Sequence, residues 1–124
     1  MSRFQPGQIW QYNTRPGEES SRITIAKVEA HPKLGTIIHV QVKDVAIKSS
    51  KAPDGVSRVV SHLPFSEQAL DKSVTAKEKD GAAPTGWEEG YGQWKSAVDS
   101  GKGGIWTIPV SEAIGSLEQI LSKK

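Results

Sequence analysis

The sequence predicts an α+β domain, in which a twisted antiparallel sheet of four to five strands from the N-terminal half carries two or three helices from the C-terminal half. Three observations predict it. Apolar residues alternate with polar ones along the first 63 positions. Turn signals of the Pro-Gly and Pro-Asp-Gly kind separate those runs. Beyond Phe65 the apolar spacing changes to that of helices. The alternation also slips phase twice, and slips of that kind would bend the sheet toward a half-open barrel. A chain of 124 residues suits one domain over 1–124.

Pro6-Gly7 turns the chain into a first strand over 8–12. Pro16-Gly17 then presets a hairpin connection. A second strand over 22–30 places Ile23 and Ile25 on one face, and the apolar phase slips between Ala26 and Val28, as at a bulge. His31-Pro32-Lys33-Leu34-Gly35 is the next turn. The clearest strand follows over 36–42, with Ile38, Val40 and Val42 on one face and His39 and Gln41 on the other. A second slip at Asp44 carries the pattern on to Val45 and Ile47. Pro53-Asp54-Gly55 leads into a fourth strand over 56–63, which Pro64-Phe65 is expected to stop.

Ser66 can cap a short helix reaching Ser73, with Glu67 in its first turn. Residues 77–86 read as a loop. Trp87, Tyr91, Trp94 and Val98 fall at i, i+4, i+7 and i+11, one stripe of a helix, although Gly90 and Gly92 weaken it by about 1 kcal/mol each relative to Ala. The glycines of 101–104 end that helix as a C-cap and turn. Residues 105–108 read as a short strand, and Ser111 is expected to cap a last helix with Ile114, Leu117 and Leu121 on one face.

Two stretches look familiar as sequences. One is Phe4-Gln5-Pro6-Gly7-Gln8-Ile9-Trp10-Gln11-Tyr12 with Thr14-Arg15-Pro16-Gly17-Glu18-Glu19-Ser20-Ser21; the other is His62-Leu63-Pro64-Phe65-Ser66 with Ala69-Leu70 and Ser73-Val74. Together they resemble a family of small uncharacterised bacterial proteins. The resemblance implies a bacterial, soluble, stand-alone domain and brings no catalytic residue with it.

Composition removes some classes of function. Without cysteine there is no disulfide, no thiolate metal site and no cysteine nucleophile. That absence, with no apolar signal core in the first residues, points to the cytoplasm. No apolar run is long enough for a membrane helix. The net charge of +2 is spread along the chain rather than gathered in a tail.

Motifs argue against an enzyme. There is no Gly-x-Ser-x-Gly. The Gly101-Lys102 pair has Ser96 where a Walker loop needs glycine, and Gly103 follows the lysine. The acid pairs Glu18-Glu19 and Glu88-Glu89 read as solvated. His39 and His62 would meet if their strands pair, but a metal wants three or four ligands, and Asp44 or Glu67 would have to complete the set by chance of folding. The plain reading of His31, His39 and His62 is surface or edge histidines. No metal and no cofactor is expected.

The aromatic stripe Trp87, Tyr91 and Trp94 has two readings: packing against the sheet, or a partner-binding surface, since Trp and Tyr dominate interface hot spots. The leading expectation is a non-enzymatic protein-binding domain of the bacterial cytoplasm, in an immunity or adaptor role, with that stripe as the partner-binding residues. One alternative is a small nucleic-acid-binding β-barrel module built on Trp10, Tyr12, Arg15, Arg22, Lys27, Lys33, Lys43 and Lys48. The other is a small-ligand binder or enzyme using His39 and His62 in a cleft.

Overall fold

Four successive runs of alternating residues form the strands β1 (Gln8–Tyr12), β2 (Arg22–His31), β3 (Gly35–Lys48) and β4 (Val56–Ser66). They are followed by α1 (Glu67–Ser73), β5 (Val74–Asp80), α2 (Glu88–Asp99) and α3 (Val110–Leu121). The structure is a computed structural model and describes residues 2–122. The sheet is antiparallel throughout, in the order β4-β3-β2-β1-β5. It does not close into a barrel: β4 and β5 remain as its edges.

Both phase slips are present as register shifts. The register shifts between Ile25 and Lys27, and again between Lys43 and Ile47 on β3. Asp44 sits at the second with φ 61°, a left-handed conformation that Asp tolerates better than most residues. The first slip has a consequence for the site: it puts Lys27 opposite His39 and Glu29 opposite Ile37, on one face of the sheet.

The other face holds the main core. Ile23, Ile25, Ile38, Val40, Val42, Leu63 and Phe65 pack there against Leu70 of α1 and against Val110, Ala113 and Ile114 of α3. α2 lies on the opposite face, so the helices cover both faces of the sheet rather than one face or end. This explains why β3 is buried continuously from Ile37 to Val42.

Several elements differ from expectation for identifiable reasons. Pro64 does not end β4, which runs to Ser66. A proline is tolerated on an edge strand because it needs no ladder donor there, and the Pro64 carbonyl accepts from Trp106 N at 2.9 Å. The fifth strand is not residues 105–108, of which only Trp106 bridges to Phe65. It is β5, whose second half, from Lys77, falls in the stretch read as loop. Every residue of β5 after Val74 is exposed, so the strand has no apolar alternation, and its Lys77, Glu78, Lys79 and Asp80 guard the edge with charge. Ser66 caps α1 by accepting from Ala69 N. α3 starts without help from Ser111: Val110 N donates to Ser73 Oγ of α1 at 3.0 Å, and that hydroxyl donates to Ala69 O.

The Tyr12-to-Ser21 stretch is a staple. Arg15 grips Glu18 through Nε and Nη2 at 2.9 and 2.7 Å and reaches Glu118 of α3 at 3.0 Å. Glu18 and Glu118 in turn accept from the backbone N–H of Ala46 and Lys48. Glu18 is only 4% exposed, so this acid is not solvated. Ser21 Oγ donates to Lys43 O, which leaves Tyr12 to donate to Ser21. Gly7 is required where it stands: at φ 93° its missing Cβ would lie 2.1 Å from Gly81 O.

Candidate functional site

The α2-covered face carries a hydrogen-bonded chain of three titratable side chains, one from each of β2, β3 and β4. His39 Nε2 lies 2.6 Å from Glu29 Oε1, and His39 Nδ1 lies 2.8 Å from His62 Nε2. A carboxylate only accepts, so the neutral chain has a single consistent arrangement. His39 donates from Nε2 to Glu29 and accepts at Nδ1 from His62. His62 Nδ1 is left as the open end, with no protein partner among the described residues.

His39 is fully buried and is not an edge histidine. Burial pushes its pKa down, opposed by Glu29. Burial and the neighbouring His39 push His62 down to about 4. Both imidazoles are neutral at pH 7, and neutral rings are what the low-dielectric face tolerates.

α2 forms the roof. The rings of Tyr91 and Trp94 meet His39 edge-on at 4.9 and 4.7 Å, and Tyr91 meets His62 at 6.0 Å. Trp87 packs on Tyr91 at 5.6 Å. Lys27 Nζ sits 5.6 Å from the Tyr91 ring centre. Burial, with Glu29 beside it, raises the Tyr91 hydroxyl above its usual range. Gly90 makes this contact possible, since a Cβ there would come within 2.9 Å of His62 Cβ. Gly92 has open space around it, so of the two glycines that weaken the helix only Gly90 has a packing reason.

The predicted stripe Trp87, Tyr91 and Trp94 is therefore brought together and lies half-buried against the sheet. The indole N–H groups are satisfied within the chain, Trp87 by Pro84 O and Trp94 by Gly104 O. The structure also unites His39 with His62. Their third partner is Glu29, and neither Asp44 nor Glu67 takes part. The bulge at Ala26 was the available signal, because counting register through it puts Glu29 on the face of His39. Among the described residues no group of three side chains is placed to hold a metal.

The open surface lies elsewhere. A cavity of about 490 Å³ sits between α1, the β2–β3 turn and the segment after α2, lined by the apolar Leu34, Ala69 and Ile105, the polar Ser66, Gln68 and Thr107, and the cationic Lys33 and Lys72. A second, of about 180 Å³, adjoins it through the shared Lys33 and Leu34 and ends on Val98, Gly101 and Gly103. No acidic side chain lines either cavity among the described residues, and neither is lined by His39 or His62. His31 belongs to this groove. Its Nδ1 accepts from the backbone N–H of Lys33 and Leu34 at 3.1 Å each and so holds the turn that forms the lip.

Four of the eight residues named for a nucleic-acid platform are engaged otherwise. Trp10 and Tyr12 are in the core. Arg15 is tied to Glu18 and Glu118, and Arg22 to Glu78. Among the described residues no helix is long and apolar enough to cross a membrane. Neither protein-family models, nor curated proteins, nor solved structures gave a match to this chain.

Proposed function

We propose that the domain is a non-enzymatic protein-binding module, and that it docks an acidic segment of its partner, anchored by apolar side chains, in the groove beside the β2–β3 turn. The observation that carries this reading is the pair of adjoining cavities, lined by apolar side chains and lysines and, among the described residues, by no acid. An extended segment could place aliphatic side chains on Leu34, Ala69 and Ile105 while its carboxylates meet Lys33 and Lys72. An immunity or adaptor protein of the bacterial cytoplasm would be one form of such a module.

An enzymatic reading has less support. A general base must face a substrate in a cleft, and the Glu29–His39–His62 chain lies under α2 and outside both cavities. In this proposal Trp87, Tyr91 and Trp94 serve docking indirectly. They seat α2, whose C-terminal end carries Val98 of the groove wall.

Fluorescence anisotropy tests it with a labelled decapeptide alternating Glu and Leu, against the same peptide with every Glu replaced by Gln. The acidic peptide should bind at pH 7.5, more weakly as salt rises. Lys33→Glu with Lys72→Glu should weaken it roughly tenfold, about 1.4 kcal/mol. Equal binding of the two peptides, or indifference to the charge reversals, would contradict the proposal.

A further inference from the structure

The histidine chain and the groove are connected through α2. Trp94 touches His39 with its ring and donates from Nε1 to Gly104 O at 2.7 Å. Just past the helix, Lys102 N and Gly103 N both donate to Ala97 O, and Gly101 turns at φ 79°. Val98, Gly101 and Gly103 are the far wall of the smaller cavity. Whatever seats α2 on the sheet thus also sets that wall. α2 has no fully buried residue of its own, and its contacts with the sheet centre on the two imidazoles, with Lys27 beside the Tyr91 ring.

We infer that the His39–His62 pair is an acid-sensitive latch for α2, and that releasing it dismantles the groove wall and weakens docking. This rests on the groove reading only in its second half. The reason is a count of hydrogens. The 2.8 Å gap between His39 Nδ1 and His62 Nε2 holds one hydrogen. A first added proton can reside at His62 Nδ1 with the chain intact. A second puts two N–H donors face to face and two positive charges under the helix. The charged groups acting on the pair are Glu29 and Lys27 from β2, of opposite sign; from α2 the neutral Tyr91 ring packs on both imidazoles, and Asp99, farther along, acts on Tyr91. Glu29 can offset one positive charge on the pair but not two.

The test has two independent readouts. Without any partner, amide exchange and histidine ring shifts are followed by NMR from pH 7.5 to 4. The amides of Tyr91 to Val98 should lose protection in one step that takes up two protons and shifts both histidine rings together, while those of Ile38, Val40 and Leu70 stay protected. His62→Phe should keep α2 protected over the same range. Retention of α2 protection in the wild type to pH 4 would overturn the latch, and so would loss of core protection at the same pH as α2. If the variant does not fold, the wild-type amide protection read beside the ring shifts still decides the matter.

The second readout is affinity for the acidic Glu/Leu peptide at pH 7.5 and pH 5. It should fall at least several-fold more in the wild type than in His62→Phe, which corrects for titration of the peptide itself. A latch that opens while peptide affinity is unchanged refutes the coupling to the groove and leaves the latch. A peptide that binds while α2 never opens refutes the latch and leaves the groove.

Discussion

At the scale of single residues, the positions that matter most are those where one side chain answers several backbone demands. Arg15 is the clearest. It neutralises the buried Glu18, and through the two acids it fixes the N–H groups of Ala46 and Lys48 beyond the Asp44 kink. Arg15→Ala would leave Glu18 charged and buried without its cation. The expected cost is about 3 kcal/mol, which is roughly 10 °C in the melting temperature of a chain this size. Thermal melts at pH 7 check this. A loss within error of zero would mean that Glu18 finds water instead. The sign with pH follows from the same pair. Arg15 holds the Glu18 carboxyl below its ordinary range, so its contribution is present above the ordinary carboxylate pKa and fades as pH falls through the lowered one. His62 acts in the same direction over a higher window. Its folded pKa near 4 lies below the ordinary 6.5, so the unfolded chain binds the extra proton first and stability declines as pH falls from about 6.5 toward 4.

At the scale of elements, α2 departs furthest from what helix formation alone would produce. Two glycines in a twelve-residue helix work against it, yet one of them is what lets it reach the sheet. Gly90→Ala would gain about 1 kcal/mol of helix propensity and would also force the helix off His62 Cβ, which is backbone-proximal and cannot swing aside. The clash should win. We expect α2 to become less protected from exchange and His62 to titrate closer to its ordinary value. Gly92→Ala, with open space around it, should stabilise the fold slightly. If Gly90→Ala were the more stable of the two, the close approach of α2 would be refuted. Trp87, Tyr91 and Trp94 were legible as a stripe because helical spacing shows in the sequence. What they pack on was not, since no local pattern tells a helix which face of a distant sheet it will cover.

At the scale of the whole molecule, the sheet could be read because alternation and turn residues are local. The bulges were also visible, as slips in phase. The fifth strand was hidden because an exposed edge strand needs no apolar face, and Lys77 to Asp80 read as solvated chain. The histidine chain was half legible. His39 and His62 could be named as possible neighbours, but Glu29 required the register across the Ala26 bulge. The groove was not legible at all. It is assembled from the β2–β3 turn, α1 and the segment after α2, pieces with no shared sequence pattern. Gly7 and Arg15, by contrast, serve closure of the fold.

Docking of a partner at the lysine-lined groove, as proposed, would show directly in the protein's own spectrum. The most direct measurement is an NMR titration of the folded protein with the Glu/Leu decapeptide at pH 7.5, read residue by residue. Amide shifts should concentrate at Lys33, Leu34, Ala69, Lys72 and Ile105, with the amides of β5 unmoved. Shifts centred on β5, on the open edge of β4 around Val59, or nowhere, would contradict it.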